Sequence, residues 1–325
     1  MATPSRLTTT DEYWHDAVSD SPDARESYYF DFYDPEAGIS GYTSIGYRHN
    51  KDYMGAITAL LDDKGAYVRK VYGRPTDDEA IQVDGVRYRP TDPLQEWRVE
   101  ELGAINRFDH DAHAKQKLGP DELPTTDDPV LSFRMDLTFT GLIDPYDYYT
   151  DADEAEMRVI SPLYDRHYEQ PCTVRGEVAL GDRTYRVDGH GDRDHSWGAR
   201  SWVDIGSWDW FAVAFDDDTM VSCIEVENDY GTSVDGFLVR DGETNTVTGM
   251  EMDRSVTESP DDFAYRVADA AGRELTGTGY VDGMLPIEFD SGDRTSEVRR
   301  CPTTFEADTG TTGYGWSDYQ RNGGR

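Results

Sequence analysis

Short runs in which apolar and polar residues alternate, each closed by turn residues, make up most of the sequence. Segments such as YYFDFYD (28–34) and MVSCIEVEN (220–228) are rich in aromatic and β-branched residues. Turn pairs such as Asp84-Gly85 separate these runs, and helical periodicity is nearly absent. Many antiparallel strands at intervals of roughly 8–12 residues predict an all-β protein built from sandwiches or barrels.

One acidic, turn-rich stretch, DPYDYYTDADEAEMR (144–158), separates two strand-rich halves. A faint repeat supports this division, because residues 53–72 and 208–227 both have the pattern of a strand, an acidic turn and a second strand. A chain of 325 residues also exceeds one average domain. We therefore predict an N-terminal β-barrel in residues 1–150 and a C-terminal β-barrel in residues 151–325.

The charge of the chain is strongly negative. It has 66 acidic and 31 basic residues, which gives a formal charge of −35, and only five of the basic residues are Lys. Such a surface stays hydrated in molar salt, so we expect a protein of a salt-adapted, halophilic organism. The same charge repels phosphates, which argues against binding to nucleic acid or to an anionic membrane.

The three cysteines, Cys172, Cys223 and Cys301, are scattered and form no CxxC pair. This usage fits a reducing compartment and predicts neither a disulfide framework nor a zinc site. The N-terminal residues lack an apolar signal region, and no apolar run approaches the length of a membrane span. We expect a soluble, cytoplasmic protein without an integral membrane segment.

The stretch HGDRDHSWGARSW (190–202) combines two His, two Asp, two Arg and two Trp, which are side chains common in active sites. Its first part has the pattern of a strand, in which successive side chains point to opposite faces. Alternation would divide these side chains into two groups: Arg193, His195 and Trp197 on one face, and Asp192, Asp194 and Ser196 on the other. Glycines in a strand mark bends, and a bend here could bring Asp194 and His195 into one site.

Asp194 and His195 are the candidate catalytic residues, since a histidine beside a carboxylate exchanges protons near neutral pH. Tryptophans could form an apolar wall, and arginines could hold a substrate oxygen. The candidate substrate-binding residues are Arg193, Trp197, Arg200, Trp202, Trp208 and Trp210. Two alternatives stay open: the Arg–Asp pair could only tie strands together, and the tryptophans could be core residues. We predict no metal, since no second ligand cluster follows downstream, and no cofactor.

GHGDRDHSWGARSW (189–202) resembles the Gly-x-Gly-x-Arg-Asp-His-Ser-Trp-Gly-x-Arg motif of the carotenoid 1,2-hydratase (hydroxyneurosporene synthase) and AttH-like superfamily. ESYYFDFYD (26–34), HYEQPCTVRGEV (167–178) and TGYGWSDYQR (312–321) are similar to further segments of it, with Asp318 where Glu is more usual. The resemblance implies two tandem lipocalin-like antiparallel β-barrels, the second of which carries the motif. It also implies an extended apolar substrate bound between or within the barrels, and marks Asp194 and His195 as hydratase candidates.

The function that follows is a cofactor-independent hydratase, dehydratase or isomerase that acts by acid–base chemistry on an isoprenoid or lipid-like molecule. The alternative is a non-catalytic carrier of the same kind of small apolar ligand, because both need an apolar cavity. A third possibility is an interaction protein that uses the cleft between the barrels for a partner. The sequence does not fix the ligand or the oligomeric state.

Overall fold

The computed structural model describes residues 6–16, 18–74, 81–108, 129–150, 152–201, 204–254, 262–290 and 295–322. These residues form 21 strands, one α-helix and two 3-10 turns, so the predicted all-β class is confirmed. The helix, α1, spans Glu154–Ile160, and the 3-10 turns span Thr9–Glu12 and His49–Lys51. None of the helices in the described part of the chain has the length and apolarity needed to cross a membrane.

The strands, in chain order, are β1 (Ala24–Asp34), β2 (Ile39–Arg48), β3 (Tyr53–Asp62), β4 (Gly65–Gly73), β5 (Ile81–Val83), β6 (Val86–Asp92), β7 (Glu96–Phe108), β8 (Val130–Gly141), β9 (Tyr146–Asp147), β10 (Arg166–Leu180), β11 (Arg183–Ala199), β12 (Ser207–Ala214), β13 (Thr219–Asn228), β14 (Gly231–Arg240), β15 (Glu243–Asp253), β16 (Phe263–Asp269), β17 (Glu274–Val281), β18 (Leu285–Asp290), β19 (Thr295–Arg300), β20 (Pro302–Ala307) and β21 (Thr312–Asn322).

Both sheets close into antiparallel barrels of eight strands. The first has the order β4-β3-β2-β1-β11-β10-β8-β7, and β7 pairs with β4 to complete it. The second has the order β12-β13-β14-β15-β16-β17-β20-β21, and β21 pairs with β12. The two similar segments noted in the sequence are both hairpins, β3–β4 in the first barrel and β12–β13 in the second. Full closure leaves no unpaired edge in either ring.

The strand that carries the motif belongs to the first barrel, so its predicted place in the second barrel is wrong. β11 pairs with β1 from Ala24↔Ala199 to Tyr33↔His190, and along its other side with β10. The first barrel therefore ends at Ala199, and the chain passes to the second barrel through residues 200–206 rather than near 150. The acidic stretch 144–158 is instead a connection within the first barrel, which holds β9 and the start of α1.

The packing forms three apolar clusters. One fills the first barrel and includes Tyr28, Phe30 and Trp97, and one fills the second barrel around Phe305. The third lies between the barrels and includes Tyr29, which points outward from β1. Because the second barrel covers this outer face, β1 is buried on both sides along most of its length. The site described next depends on that double burial.

Candidate functional site

The motif strand presents different chemistry on its two faces. The register of β11 with β10 continues residue by residue through the motif, so no bulge brings Asp194 and His195 together. Arg193, His195 and Trp197 contact residues at one end of the first barrel, whereas Asp194 faces a cavity between the barrels. The predicted alternation is therefore observed, and the suggested bend is not.

His195 belongs to a group of polar side chains at the barrel end, which we call the barrel-end cluster: His15, Glu26, His49 and His195. The His195 ring is 0% exposed, with Nε2 2.9 Å from Glu26 Oε1 and Nδ1 2.8 Å from the backbone carbonyl of Asp11. Both of these neighbours are hydrogen-bond acceptors, so each ring nitrogen of His195 faces an acceptor.

Glu26 is the centre of the barrel-end cluster. Its carboxylate also accepts from His15 Nδ1 at 2.7 Å and from His49 Nε2 at 3.0 Å. Burial alone would raise the pKa of Glu26, but the hydrogen bonds from the three histidines lower it well below its usual range. The result is a buried, ionised and saturated carboxylate.

Aromatic rings enclose the barrel-end cluster. His195 stacks on Tyr28 with ring centres 3.9 Å apart, and the edge of Tyr168 packs against it at 5.5 Å. Trp197 stacks on His15 at 4.3 Å and lies under the guanidinium of Arg166. Trp197 is thus a packing partner of the histidines and does not line the cavity between the barrels.

Arg193 ties the N-terminal segment to the barrel interior. Its Nη1 lies 3.1 Å from Glu12 Oε1 and its Nε donates to Gln170 Oε1 at 2.7 Å. Glu12 sits in the first 3-10 turn and also accepts from Trp97 and Tyr168. Burial would raise the pKa of Glu12, but Arg193 and these hydrogen bonds lower it. For Arg193, the tying role that the sequence left open fits this geometry.

The histidines and Glu26 also form the one group of metal-ligand type found in the described part of the chain. One donor atom each of His15, Glu26 and His195 lie within 4.8 Å of one another. However, Glu26 Oε1 alone accepts from both rings at 2.7 and 2.9 Å, which are ordinary hydrogen-bond lengths. Hydrogen bonding therefore accounts for the arrangement.

The outer faces of β1 to β4 and β11 form a cavity of about 170 Å³ with residues of β18 and β19, which we call the central cavity. Asp194 and Arg200, two of the predicted site residues, lie in its wall. Its other lining residues come from β1 to β4, β18 and β19: Arg25, Ser27, Tyr29, Tyr42, Ser44, Gly46, Arg48, Tyr53, Gly55, Ala56, Ile57, Lys70, Tyr72, Ile287 and Arg300.

The register explains why these residues meet. Asp194 pairs with Tyr29 across β11 and β1, Tyr29 with Ser44, Ser44 with Ile57, and Ile57 with Lys70. One row of outward-facing side chains therefore crosses five neighbouring strands. A parallel row passes through Gly46 and Gly55, whose missing side chains leave room above the sheet.

Asp194 is the acid of the central cavity. Burial is the main cause that raises its pKa, and the nearby Glu169 adds to it, while His167 and Arg200 act in the opposite direction. No hydrogen bond to its carboxylate comes from any other residue in the described ranges. Asp194 is therefore a carboxyl group that keeps its proton more readily than a surface aspartate does.

Two further carboxyls lie on the same outward faces of β1 and β11, outside the lining of the cavity. The pKa values of Asp31 and Asp192 are raised well above the usual range, mainly by burial and also by neighbouring acids. The backbone amide of Asp192 donates to Asp31 Oδ1 at 2.9 Å, but the two side-chain oxygens of Asp192 have no hydrogen-bond partner. Neither residue lines the cavity.

The predicted tryptophans lie in the core between the barrels. Trp210 Nε1 donates to Glu169 Oε1 at 3.0 Å, and Trp208 Nε1 donates to Gln320 Oε1 at 2.7 Å. Both rings are buried and neither contributes to the wall of the central cavity. Trp202 lies outside the described residues.

Several cavity residues were missed in the sequence, chiefly Arg25, Arg48, Lys70 and Arg300. A signal was present, because alternation along β1 groups Arg25 with Ser27 and Tyr29 on the face opposite to Tyr28. What the sequence alone lacked was the knowledge that this polar face is covered by a second barrel.

Comparison with solved structures gives the class of fold. The chain is similar to a protein from Nitrosomonas europaea assigned as AttH (NE1406), with a TM-score of 0.59 and 15% identity over 94% of this chain and 97% of that one. It is also similar to CghA (0.53, 10%, 94% and 90%) and to kievitone hydratase from Nectria haematococca (0.53, 13%, 90% and 88%). The molecule thus has the two-barrel, lipocalin-like fold of AttH-like proteins, as the resemblance implied.

Within that class, the chain belongs to the family described as domain of unknown function DUF7064, whose profile matches residues 8–323. A comparison with curated protein sequences found no match. The relationship to carotenoid 1,2-hydratase in particular stays a prediction, because the similarity to these structures bears on the fold alone.

Proposed function

We propose that the protein is an enzyme that adds water to, removes water from, or isomerises a lipophilic small molecule bound in the central cavity, with Asp194 as the general acid. The observation that carries this proposal is the position of Asp194: a carboxyl with a raised pKa lines a cavity that also has tyrosine rings and isoleucine side chains. The name of one protein of the same fold, kievitone hydratase, is compatible with such chemistry.

The charge of the cavity narrows the reaction. Five cationic side chains line it, so a carbocation intermediate would be repelled, whereas a developing negative charge on a substrate oxygen would be stabilised. This environment favours a carbon–carbon double bond conjugated with a carbonyl group. The proposed substrate therefore differs from the isolated isoprenoid alkene that the sequence allowed.

The proton balance of hydration closes with one acid. Water attacks the carbon at the far end of the conjugated double bond, and the electron pair moves to the carbonyl oxygen. Asp194 gives its proton to the carbon next to the carbonyl and then takes up the proton that the attacking water loses. One hydrogen and one hydroxyl are added in total, and Asp194 is regenerated. Dehydration is the reverse sequence.

His195 acts in this proposal as a positioning residue. It does not line the central cavity, but with Glu26 it fixes β11 to β1 from inside the barrel. Asp194 and Arg25 are the chain neighbours of these two residues and point to the cavity side. The contact between His195 and Glu26 therefore sets the spacing of groups that would contact the substrate.

The test compares Asp194→Asn with Asp192→Asn, which is the same substitution on the same face of the same strand but outside the lining of the cavity. Both purified variants and the wild type are incubated with a panel of alkyl enones and unsaturated carboxylic acids, and mass spectrometry detects a gain of one water. General acid catalysis contributes about 10²–10⁴-fold, so Asp194→Asn should lose at least about 100-fold in rate. Asp192→Asn should retain turnover.

Two outcomes contradict the proposal. Full activity of Asp194→Asn would remove the assigned acid. Tight binding of panel compounds that leave unchanged, in the wild type and in Asp194→Asn alike, would identify the protein as a carrier.

A further inference from the structure

The central cavity concentrates positive charge in a protein that has very little of it. Five of the 31 basic residues line the cavity, but only one of the 66 acidic residues does. They come from different elements of the fold: Arg25, Arg48, Lys70, Arg200 and Arg300. A surface arginine in this chain has many carboxylates around it, so the exclusion of acids from this wall points to a ligand.

Two of these arginines have side chains without a direct protein partner. The guanidinium groups of Arg25 and Arg48 form no hydrogen bond and no ion pair in the described part of the chain, although Asp194 attracts Arg25 over a longer distance. Arg300, by contrast, pairs with Asp318 and lies over the rings of Tyr29 and Tyr42 at 4.7 and 5.1 Å. Both residues are half-buried, and arginine has five donors in a fixed geometry that matches carboxylate and phosphate oxygens.

Arg25 in particular is held in an unfavourable position. Burial is the largest cause that lowers its pKa well below the usual range, and repulsion from Arg200 and Arg48 adds to it. Its guanidinium lies over Gly46, where a Cβ atom would come within 2.7 Å of Arg25 Nη2. The sheet thus leaves room for the guanidinium of Arg25, although Arg48 and Arg200 repel it. An anion bound between these arginines would remove the repulsion.

Neutral donors and apolar surface complete the cavity. Tyr29 and Tyr42 also line the cavity, and the hydroxyl group of Tyr42 is buried without a hydrogen-bond partner. Ala56, Ile57 and Ile287 supply apolar wall next to the charged part. The lining therefore matches a molecule with an oxygen-rich anionic head and an apolar body.

We infer that the ligand of the central cavity is an amphipathic acid, whose carboxylate or phosphate group is bound by Arg25 and Arg48. This inference rests on the proposed function only in placing the ligand in that cavity. The anionic group would lie beside the reacting double bond, and Asp194 would face the carbon that receives the proton.

The test is a calorimetric titration with decanoate, decyl phosphate and methyl decanoate, each below its micelle concentration and at one fixed salt concentration. Charged hydrogen bonds contribute about 1.5–3 kcal/mol, so at least one of the two anions should bind about tenfold tighter than the ester, or more. The stronger of the two anions identifies the head group. Equal affinity for the anions and the ester would overturn the inference, and this comparison needs no variant.

Variants then locate the anion. The double variant Arg25→Met/Arg48→Met should lose the preference for the anions over the ester, while Arg175→Met, which changes an exposed arginine paired with Asp188 outside the cavity, should keep it. A preference that persists in the double variant would contradict the assignment.

The two proposals fail in different ways. Asp194→Asn removes the acid without adding negative charge to the cavity, so it should bind the anions at least as tightly as the wild type even if it is inactive. Preferential anion binding without any turnover would leave this inference standing and remove the proposed enzyme. Turnover of neutral enones without an anion preference would do the opposite.

Discussion

The barrel-end cluster and the central cavity lie on opposite faces of the same two strands. Polar side chains are hydrogen-bonded to each other in the cluster, whereas several in the cavity are not. At the barrel end, Glu26 and His195 satisfy each other and their neighbours with hydrogen bonds of 2.7–3.0 Å. In the cavity, Arg25 and Asp194 lack such bonds. Paired buried groups stabilise a fold, whereas groups left unpaired are available to a ligand. We therefore expect the face of β11 inside the barrel to stabilise the fold and the face toward the cavity to contact the ligand.

The largest effect is expected from a substitution that breaks the buried ion pair of Arg193 and Glu12. Arg193→Met leaves the Glu12 carboxylate buried without its cation, and removing one partner of a buried pair destabilises by about 3–5 kcal/mol. Denaturant unfolding of the variant would measure this loss. Adding Glu12→Gln should recover part of it, because the uncompensated charge is then gone. A loss below about 1 kcal/mol, which is the range of exposed ion pairs, would contradict the structural role of Arg193.

His195→Ala tests the same side at the motif histidine. The change removes a buried ring and a hydrogen bond to Glu26, for an expected loss of about 2–4 kcal/mol in the free energy of unfolding. The folded variant should still bind decanoate, although more weakly, because His195 does not line the cavity but holds together the strands that carry Arg25 and Asp194. Asp194→Asn, one residue away, should show the reverse pattern: lost turnover with little loss of stability. If both variants lose only turnover, the division between the two faces is wrong.

A smaller effect depends on pH. The pKa of Asp192 is higher in the folded state than in the unfolded chain, where it is about 3.9. Between these two values the folded state binds more protons, so this residue lowers stability as the pH rises through that window. Asp192→Asn should therefore be more stable than the wild type at pH 7, and the advantage should vanish below about pH 4. Unfolding curves at both pH values would measure it, and a constant difference would contradict the raised pKa.

The smallest effect is expected from Gly46→Ala, which tests whether Arg25 contacts the ligand in the cavity. Gly46→Ala places a methyl group where Arg25 now lies, so the guanidinium must shift. We expect a weaker preference for decanoate over its ester, by about 1 kcal/mol, with the fold intact. Gly310→Ala is not a suitable control because of its positive φ, whereas Gly249 has open space around it and Gly249→Ala should leave binding unchanged. Equal effects of the two variants would argue against contact between Arg25 and the ligand.

The sequence predicted the class of fold because alternation and turn residues are local signals, and the motif strand was found for the same reason. It did not predict which barrel the motif completes, because the pairing of β11 with β1 is a long-range contact without a local signature. The suggestion that a bend brings His195 into one site with Asp194 was wrong for a related reason. Alternation separates His195 from Asp194, but the sequence does not indicate which face is inside the barrel and which lies under a second one.

The pairing of β1 with β11 joins residues 24 and 199, which lie 175 positions apart along the chain. During synthesis, β1 must therefore wait until most of that length has emerged before its second neighbour exists. Until then it is an aromatic strand with an open edge, the kind of segment that pairs with other chains. A fragment that ends before β10 should therefore aggregate, and refolding of the whole chain should be slow.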